Sequence, residues 1–222
     1  MAPNNGDDQA AAEAAKAAQE EAARKSTTKG ALFKAFAKRS AKSEDRAAPV
    51  RAGQLLKRVG GSIKDAAKAV GRSPRTFKRW LDGQATPKAD SNEALNRANR
   101  EALVPEGRRK RILASADDRY LVEDEESGQM RFQKPEGVTG KGGFVLTAVI
   151  RISKDERERS VNLGPYLSSD HMQELMDAFM AGNERAAVDV LEEGLENWVP
   201  EAELLSTSSL SFSPVEWESE DE

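Results

Sequence analysis

Residues 62–83, "SIKDAAKAVGRSPRTFKRWLDG", constrain the chain more than any other stretch, because two helix starts and two helix stops fall within them. Ser62 is a hydroxyl N-cap, and Ile63, Ala66, Ala67 and Val70 follow at i, i+3, i+4 and i+7, one apolar stripe. Gly71 ends that helix, as a left-handed C-cap requires. Ser73-Pro74 then opens the next: a capping oxygen, followed by proline at the first helical position, where its missing N–H costs nothing. On this second helix Phe77, Trp80 and Leu81 share one face, and Arg75, Thr76, Lys78 and Arg79 the other. Gly83 closes it. Alanines 66 and 67 let the two helices approach closely, so Trp80 reads as a core anchor rather than a base-stacking residue. The pattern predicts a helix-turn-helix with a basic second helix facing outward.

The charge distribution points the same way. Residues 50–113 hold 16 Lys and Arg against 6 Asp and Glu, a net of +10, whereas residues 114–222 hold 9 against 25, a net of −16. The formal net charge of −4 therefore hides a segment that would bind a polyanion and a half that would repel one. An ordinary helical hairpin with a solvated basic face is the plainer alternative, and the concentration of charge argues against it. DNA is the expected partner. Candidate contacts are Arg72, Ser73, Arg75, Thr76, Lys78 and Arg79, with cations neutralising phosphates and an arginine able to grip guanine in the major groove. Arg108, Arg109, Lys110 and Arg111 would either track a phosphate backbone or form a solvated linker. The acidic half would offer a docking surface for a basic protein or a contact within a homo-oligomer.

Several chemistries are excluded. The chain has no cysteine, and His171 is its only histidine, which removes disulfides, thiolate metal sites and any histidine cluster. No apolar run is long enough to span a membrane, and the N-terminus lacks the core of a signal peptide, so a cytoplasmic, nucleoid-associated protein is expected. "TGKGG" at 139–143 lacks the spacing of a phosphate loop, and "VEDEE" at 122–126 reads as a solvated acidic turn. No catalytic constellation, metal site or cofactor is expected, and the protein does not read as an enzyme.

The expected fold class is α+β: an N-terminal helix-turn-helix domain, then a small sheet covered by two helices. Residues 1–48 are expected to be a disordered arm, alanine-rich to residue 28 and basic beyond it. Leu32, Phe33 and Phe36 favour docking of a helix on the next domain over a basic arm on DNA. The helix-turn-helix domain takes 49–113, with Leu55, Leu56 and Val59 on a leading helix and Asp90 and Glu93 as a capping box for a following one. An α+β domain takes 114–215. In it "RYLVED" and "QMRFQ" are short strands, "GGFVLTAVIRIS" is a strong one, and "KDERE" is a turn into "RSVNLG". Asp170 caps a helix with Met172, Leu175, Met176, Phe179 and Met180 inward, His171 is exposed, Gly182 breaks the helix, and Val188, Leu191, Leu195 and Trp198 lie on a second. "SLSFSPVEW" closes the sheet before an acidic tail at 216–222.

In order and pattern, residues 54–215 resemble the terminal proteins that cap the telomeres of linear chromosomes and plasmids in Streptomyces-type bacteria. The helix-turn-helix, "RRKRILASA", "GGFVLTAVIRIS", "RERSVNLG", the paired helices "HMQELMDAFMAGNERAAVDVLEEGLENWV" and "SLSFS" carry the likeness. The alanine-rich arm and the "RYLVEDEESGQMRF" hairpin depart from it. The resemblance implies a protein that primes DNA end synthesis from a hydroxyl, which stays covalently joined to the 5′ end, with a DNA polymerase and a telomere-binding replication protein as partners. Candidate hydroxyls are Ser153, Thr147 and Thr139, and Ser153, at a strand end, suits the role better than mid-strand Thr147. A helix-turn-helix transcriptional regulator and a plasmid replication initiator or partition protein are the alternatives.

Overall fold

The computed structural model describes residues 5–116, 121–123, 130–132 and 141–216. The turn "EESG" expected at 125–128 between the two short strands, Thr139 and the acidic tail beyond 216 lie outside them.

Helix α1 (Asn5–Ala37) runs for 33 residues, about 50 Å at 1.5 Å per residue. A disordered arm was expected here. The structure corrects this: Leu32, Phe33 and Phe36 are buried and dock the helix, but in the core of the C-terminal sheet and helices rather than on the next domain, and alanine propagates it toward the N-terminus once a nucleus exists. A short 3-10 turn (Ala41–Ser43) leads to α2 (Ala48–Arg58), α3 (Ile63–Ala69) and α4 (Pro74–Leu81). Helix α5 (Ala89–Leu103) and α6 (Glu106–Leu113) follow. The capping box expected at Asp90 does not form: α5 starts at Ala89 behind Lys88 without a side-chain cap, and Asp90 lies in the first turn, where its charge complements the helix dipole instead.

Strands β1 (Leu121–Glu123) and β2 (Met130–Phe132) pair antiparallel. A separate antiparallel sheet has the order β4-β3-β5, from β3 (Lys141–Ile152), β4 (Asp155–Asn162) and β5 (Ala202–Glu216). Phe144, Leu146, Ala148 and Ile150 alternate along β3 and are fully buried. They meet α7 (Ser169–Ala181), α8 (Glu184–Trp198) and the C-terminal half of α1 in one core. Val145, Thr147, Val149 and Arg151 lie on the opposite face, as a period of two demands. The expected "KDERE" turn is shorter than its charges suggest: Ile152 pairs with Asp155, so Ser153 and Lys154 alone make the turn and Asp155–Glu158 lie in β4. Strand β5 begins seven residues earlier than "SLSFSPVEW".

Edge strand β5 is sealed by α1. The Thr207 N–H donates to Thr27 Oγ1 at 3.1 Å, and the buried hydroxyls of Thr28 and Thr207 meet at 2.8 Å. Arg24 and Glu21 of the same helix pair with Glu192 and Arg185 of α8, each at 3.0 Å. Phe33 and Phe36 stand edge-on to Phe179, 5.1 and 5.4 Å between centroids. The cap expected at Asp170 belongs to Ser168, which accepts the His171 N–H while the Ser168 N–H donates to His171 Nδ1 at 3.0 Å. His171 is therefore not a free surface residue: its side chain is 17% exposed, and Nε2 reaches Glu193 at 3.0 Å.

A second, smaller core holds Ala52, Leu55, Ala66, Ala67, Val70, Phe77, Trp80, Leu95 and Ala98. Helix α5 belongs to both cores. Leu95 and Ala98 face the smaller one, while Arg100 crosses to the larger and donates to the Phe179 carbonyl at 2.5 Å. Gly182 makes room for it: with φ at 75° it ends α7 in a left-handed turn, and a Cβ there would lie 2.7 Å from Arg100 Nη1.

Candidate nucleic-acid interface

The turn between α3 and α4 is built as the sequence predicts. Ser62 accepts the Asp65 N–H at 3.1 Å, and Ser73 accepts the Thr76 N–H at 3.2 Å. Gly71 takes φ of 62°, and the Arg72 N–H returns to the Ala67 carbonyl at 2.9 Å. Phe77 and Trp80 are 0% and 3% exposed, with ring centroids 6.3 Å apart, so Trp80 is a core anchor. Arg75, Lys78 and Arg79 project from the other face. They are exposed and have no hydrogen-bond or ion-pair partner among the described residues. Unpaired cations on the face opposite a buried aromatic pair are what a helix laid against phosphates and base edges presents.

Two other predicted contacts are partly committed elsewhere. Arg72 donates from Nε to the buried Ser91 hydroxyl at 3.1 Å, bracing the start of α4 against α5. Thr76 lies 3.0 Å from Ser73, hydroxyl to hydroxyl, inside the cap. Beneath them Arg51 grips Asn96 and Asn92 at 2.5 Å each, fixing α2 to α5. No sequence signal pointed to this clamp, since asparagines spaced along a helix read as solvated.

The four cations at 108–111 are not a uniform basic tract and do not belong to the recognition helix's core. They sit on α6, which packs against β5 and α7. Arg108 donates to the Ala35 carbonyl at 2.9 Å and covers the Phe212 ring at 5.5 Å. Arg109 donates to the carbonyls of Val104 and Glu101 at 2.9 and 3.0 Å, closing the end of α5. Lys110 pairs with Glu106 at 3.0 Å. Arg111, reaching only its own helix at the Gly107 carbonyl, is the most available. Arginines that cap helix ends and cover aromatic rings cannot be told from phosphate-binding ones by composition.

The hydroxyl candidates separate. Thr147 lies mid-strand, 2.9 Å from Ser160 Oγ across the sheet. Ser153 occupies the hairpin tip, is exposed, and has φ of 55°, a backbone region unusual for a residue with a Cβ but favoured in two-residue hairpin loops. Its hydroxyl donates to Glu201 at 2.6 Å. Of the nearby cations, Arg151 is held by Glu156 and Glu203, and Arg157 by Asp155. Among the described residues no group of three or more acidic or histidine side chains is arranged to hold a metal ion, and no helix is long and apolar enough to cross a membrane.

The arrangement defines a DNA-binding helix-turn-helix protein of α+β class. The family model for a Homeodomain-like domain matches residues 40–86, which take in α2, α3 and α4 and the linker before them. No curated protein and no solved structure matches the chain. The match stops short of the C-terminal sheet, so the likeness to terminal proteins rests on residue order and pattern alone.

Proposed function

We propose that the protein caps the end of a linear DNA replicon: the helix-turn-helix holds the terminal duplex, and a hydroxyl of the sheet unit primes synthesis of the recessed strand. The observation that carries this reading is Ser153, an exposed hydroxyl at the tip of a two-residue hairpin, donating to the Glu201 carboxylate at 2.6 Å. A polymerase at a linear end lacks a 3′ hydroxyl to extend. In the proposed step Ser153 Oγ attacks the α-phosphorus of an incoming deoxynucleoside triphosphate. The new bond is Oγ–P, pyrophosphate leaves, and the Ser153 proton passes to Glu201. The protein is then a cosubstrate rather than an enzyme, and the polymerase supplies the metal ions and the catalysis. Thr147 is disfavoured because its hydroxyl lies on the body of a paired strand.

The test is incubation with radiolabelled deoxynucleotide, a DNA polymerase of a linear replicon and terminal DNA, followed by a denaturing gel. Label should stay with the protein, move to a peptide containing Ser153, and disappear in Ser153→Ala but not in Thr147→Val. A second reading, a transcriptional regulator, is favoured by the confinement of the family match to the helix-turn-helix. Absence of labelled protein together with a palindromic footprint would select it.

A further inference from the structure

Besides those of α4 and α6, a further group of cations lies along the end of α1, the linker and α2. A groove of about 510 Å³ between the linker and α2 is lined by Arg39, Lys42, Arg46 and Lys57, with Arg58 at its wall. A second cleft, of about 720 Å³, shares Arg39 and Lys42 with the first. A third, of about 270 Å³ between α1, α6 and β5, shares Lys34 and Lys38 with the second. The shared residues join the three into one continuous track. Among the described residues Asp45 is the only acid lining any of them.

Lys34, Lys38, Arg39, Lys42, Arg46 and Lys57 are all exposed, and none has a side-chain hydrogen bond or ion pair among the described residues. Arg75, Lys78 and Arg79 of α4 and the scattered Lys64, Lys68, Lys88 and Lys154 are likewise without an acid partner among the described residues, but other surface cations meet neighbouring acids, as Lys25 with Glu21, Arg97 with Glu101 and Arg185 with Asp189. In a protein with a net charge of −4, acids to do the same here are not scarce. The cations also crowd one another: burial and then the charge of Arg39 pull the Arg58 guanidinium below its ordinary value. The backbone shows strain at the same place. Lys38 ends α1 with φ of 51°, a left-handed position that glycine or asparagine fills at less cost.

We propose that these six residues form a second phosphate-binding track, which takes the sugar–phosphate backbone of the DNA duplex outside the segment engaged by α4. The proposal rests on the DNA-binding reading of the helix-turn-helix. The chemistry of the lining selects the ligand. The first two clefts contain no large apolar side chain, so an amphipathic helix or an acyl surface would find nothing to bury. They add Ser40, Ser43 and Gln54 as phosphate donors. The only aromatic ring along the track among the described residues, Phe212, is half-buried under Arg108, which offers no open stacking platform for the bases of a single strand.

The experiment compares three full-length variants with the parent by titration of a duplex at several salt concentrations, together with footprinting. Lys38→Ala/Lys42→Ala/Lys57→Ala should lower the slope of log K against log salt by about 0.9 for each lost contact, shorten the footprint on one side, and leave sequence preference unchanged. Arg75→Ala/Arg79→Ala should lose sequence preference while retaining weak, salt-dependent duplex binding through the track. Lys38→Gly should raise the melting midpoint and lower the slope together, which separates loss of contact from loss of fold. An unchanged slope and footprint in the triple variant overturns the track, as does stronger competition by a single strand than by duplex. Retained sequence preference in Arg75→Ala/Arg79→Ala overturns the role of α4 instead and leaves the result for the track standing.

Discussion

Trp80 and Arg79 are neighbours in sequence with opposite duties, and substitution separates them. Arg75→Ala and Arg79→Ala should weaken DNA binding without changing the melting midpoint, because both side chains end in solvent and touch no partner among the described residues. Equal affinity of parent and variants across a salt series would remove α4 as the reader. Trp80→Ala empties the smaller core and should cost roughly 3–5 kcal/mol, read by chemical denaturation. Glu44 behaves differently, since it is charged and largely buried. Burial pushes its carboxyl up, but hydrogen bonds and charge from Arg100, at 2.5 and 2.6 Å, and then from Lys29, at 3.1 Å, outweigh that and hold it below the ordinary glutamate range. A carboxyl depressed in the folded state stabilises the fold above its unfolded pKa, and the contribution is lost as pH falls through the folded value. Thermal midpoints should therefore drop in acid more steeply for the parent than for Glu44→Gln, and parallel curves would show that the pair contributes nothing to the pH dependence.

Among the elements, α3 and α4 were fully legible, because their caps, apolar stripe and glycine turn are local signals that agree with one another. Strand β3 was legible for the same reason, its alternation surviving from Phe144 to Arg151. What was not legible depended on distant partners. Helix α1 has three large apolar residues near one end, and their meaning comes from Phe179 and Phe212, far along the chain. The early start of β5 was hidden because register shifts against β3 break its alternation, leaving Ala202, Leu204, Thr207 and Leu210 buried at uneven spacing. Ser153 was found as a strand end, but its contact with Glu201 spans 48 residues and left no trace in the local sequence. The docking of α1 makes a graded prediction. Removal of residues 1–19, whose described side chains from residue 11 onward are exposed, should leave the melting midpoint nearly unchanged, whereas Phe36→Ala, at 0% exposure, should cost roughly 3–5 kcal/mol.

At the scale of the whole molecule, the boundary expected near residue 113 does not coincide with a gap between cores. Val104 and Ile112 lie in the same core as β3, and so do Leu32 and Phe36. A fragment of residues 114–222 would lack both helices that complete its core, so its DNA affinity is better judged in the full chain, by mutating α4 and the basic track, than by cutting. The closure of the larger core by its two most distant pieces also sets an order of events. The contact of Thr28 with Thr207 joins residues 179 apart, whereas the helices around Trp80 meet within a few turns of chain. Non-local contacts form late because closing the intervening loop costs entropy before any contact is gained. On the ribosome the DNA-reading helices can therefore acquire shape while α1 still carries Phe33 and Phe36 bare, awaiting the last strand to emerge. Refolding should accordingly show a fast phase reported by Trp80 and a slower one reported by Trp198, and the exposed aromatic helix marks the interval in which a chaperone would find something to hold.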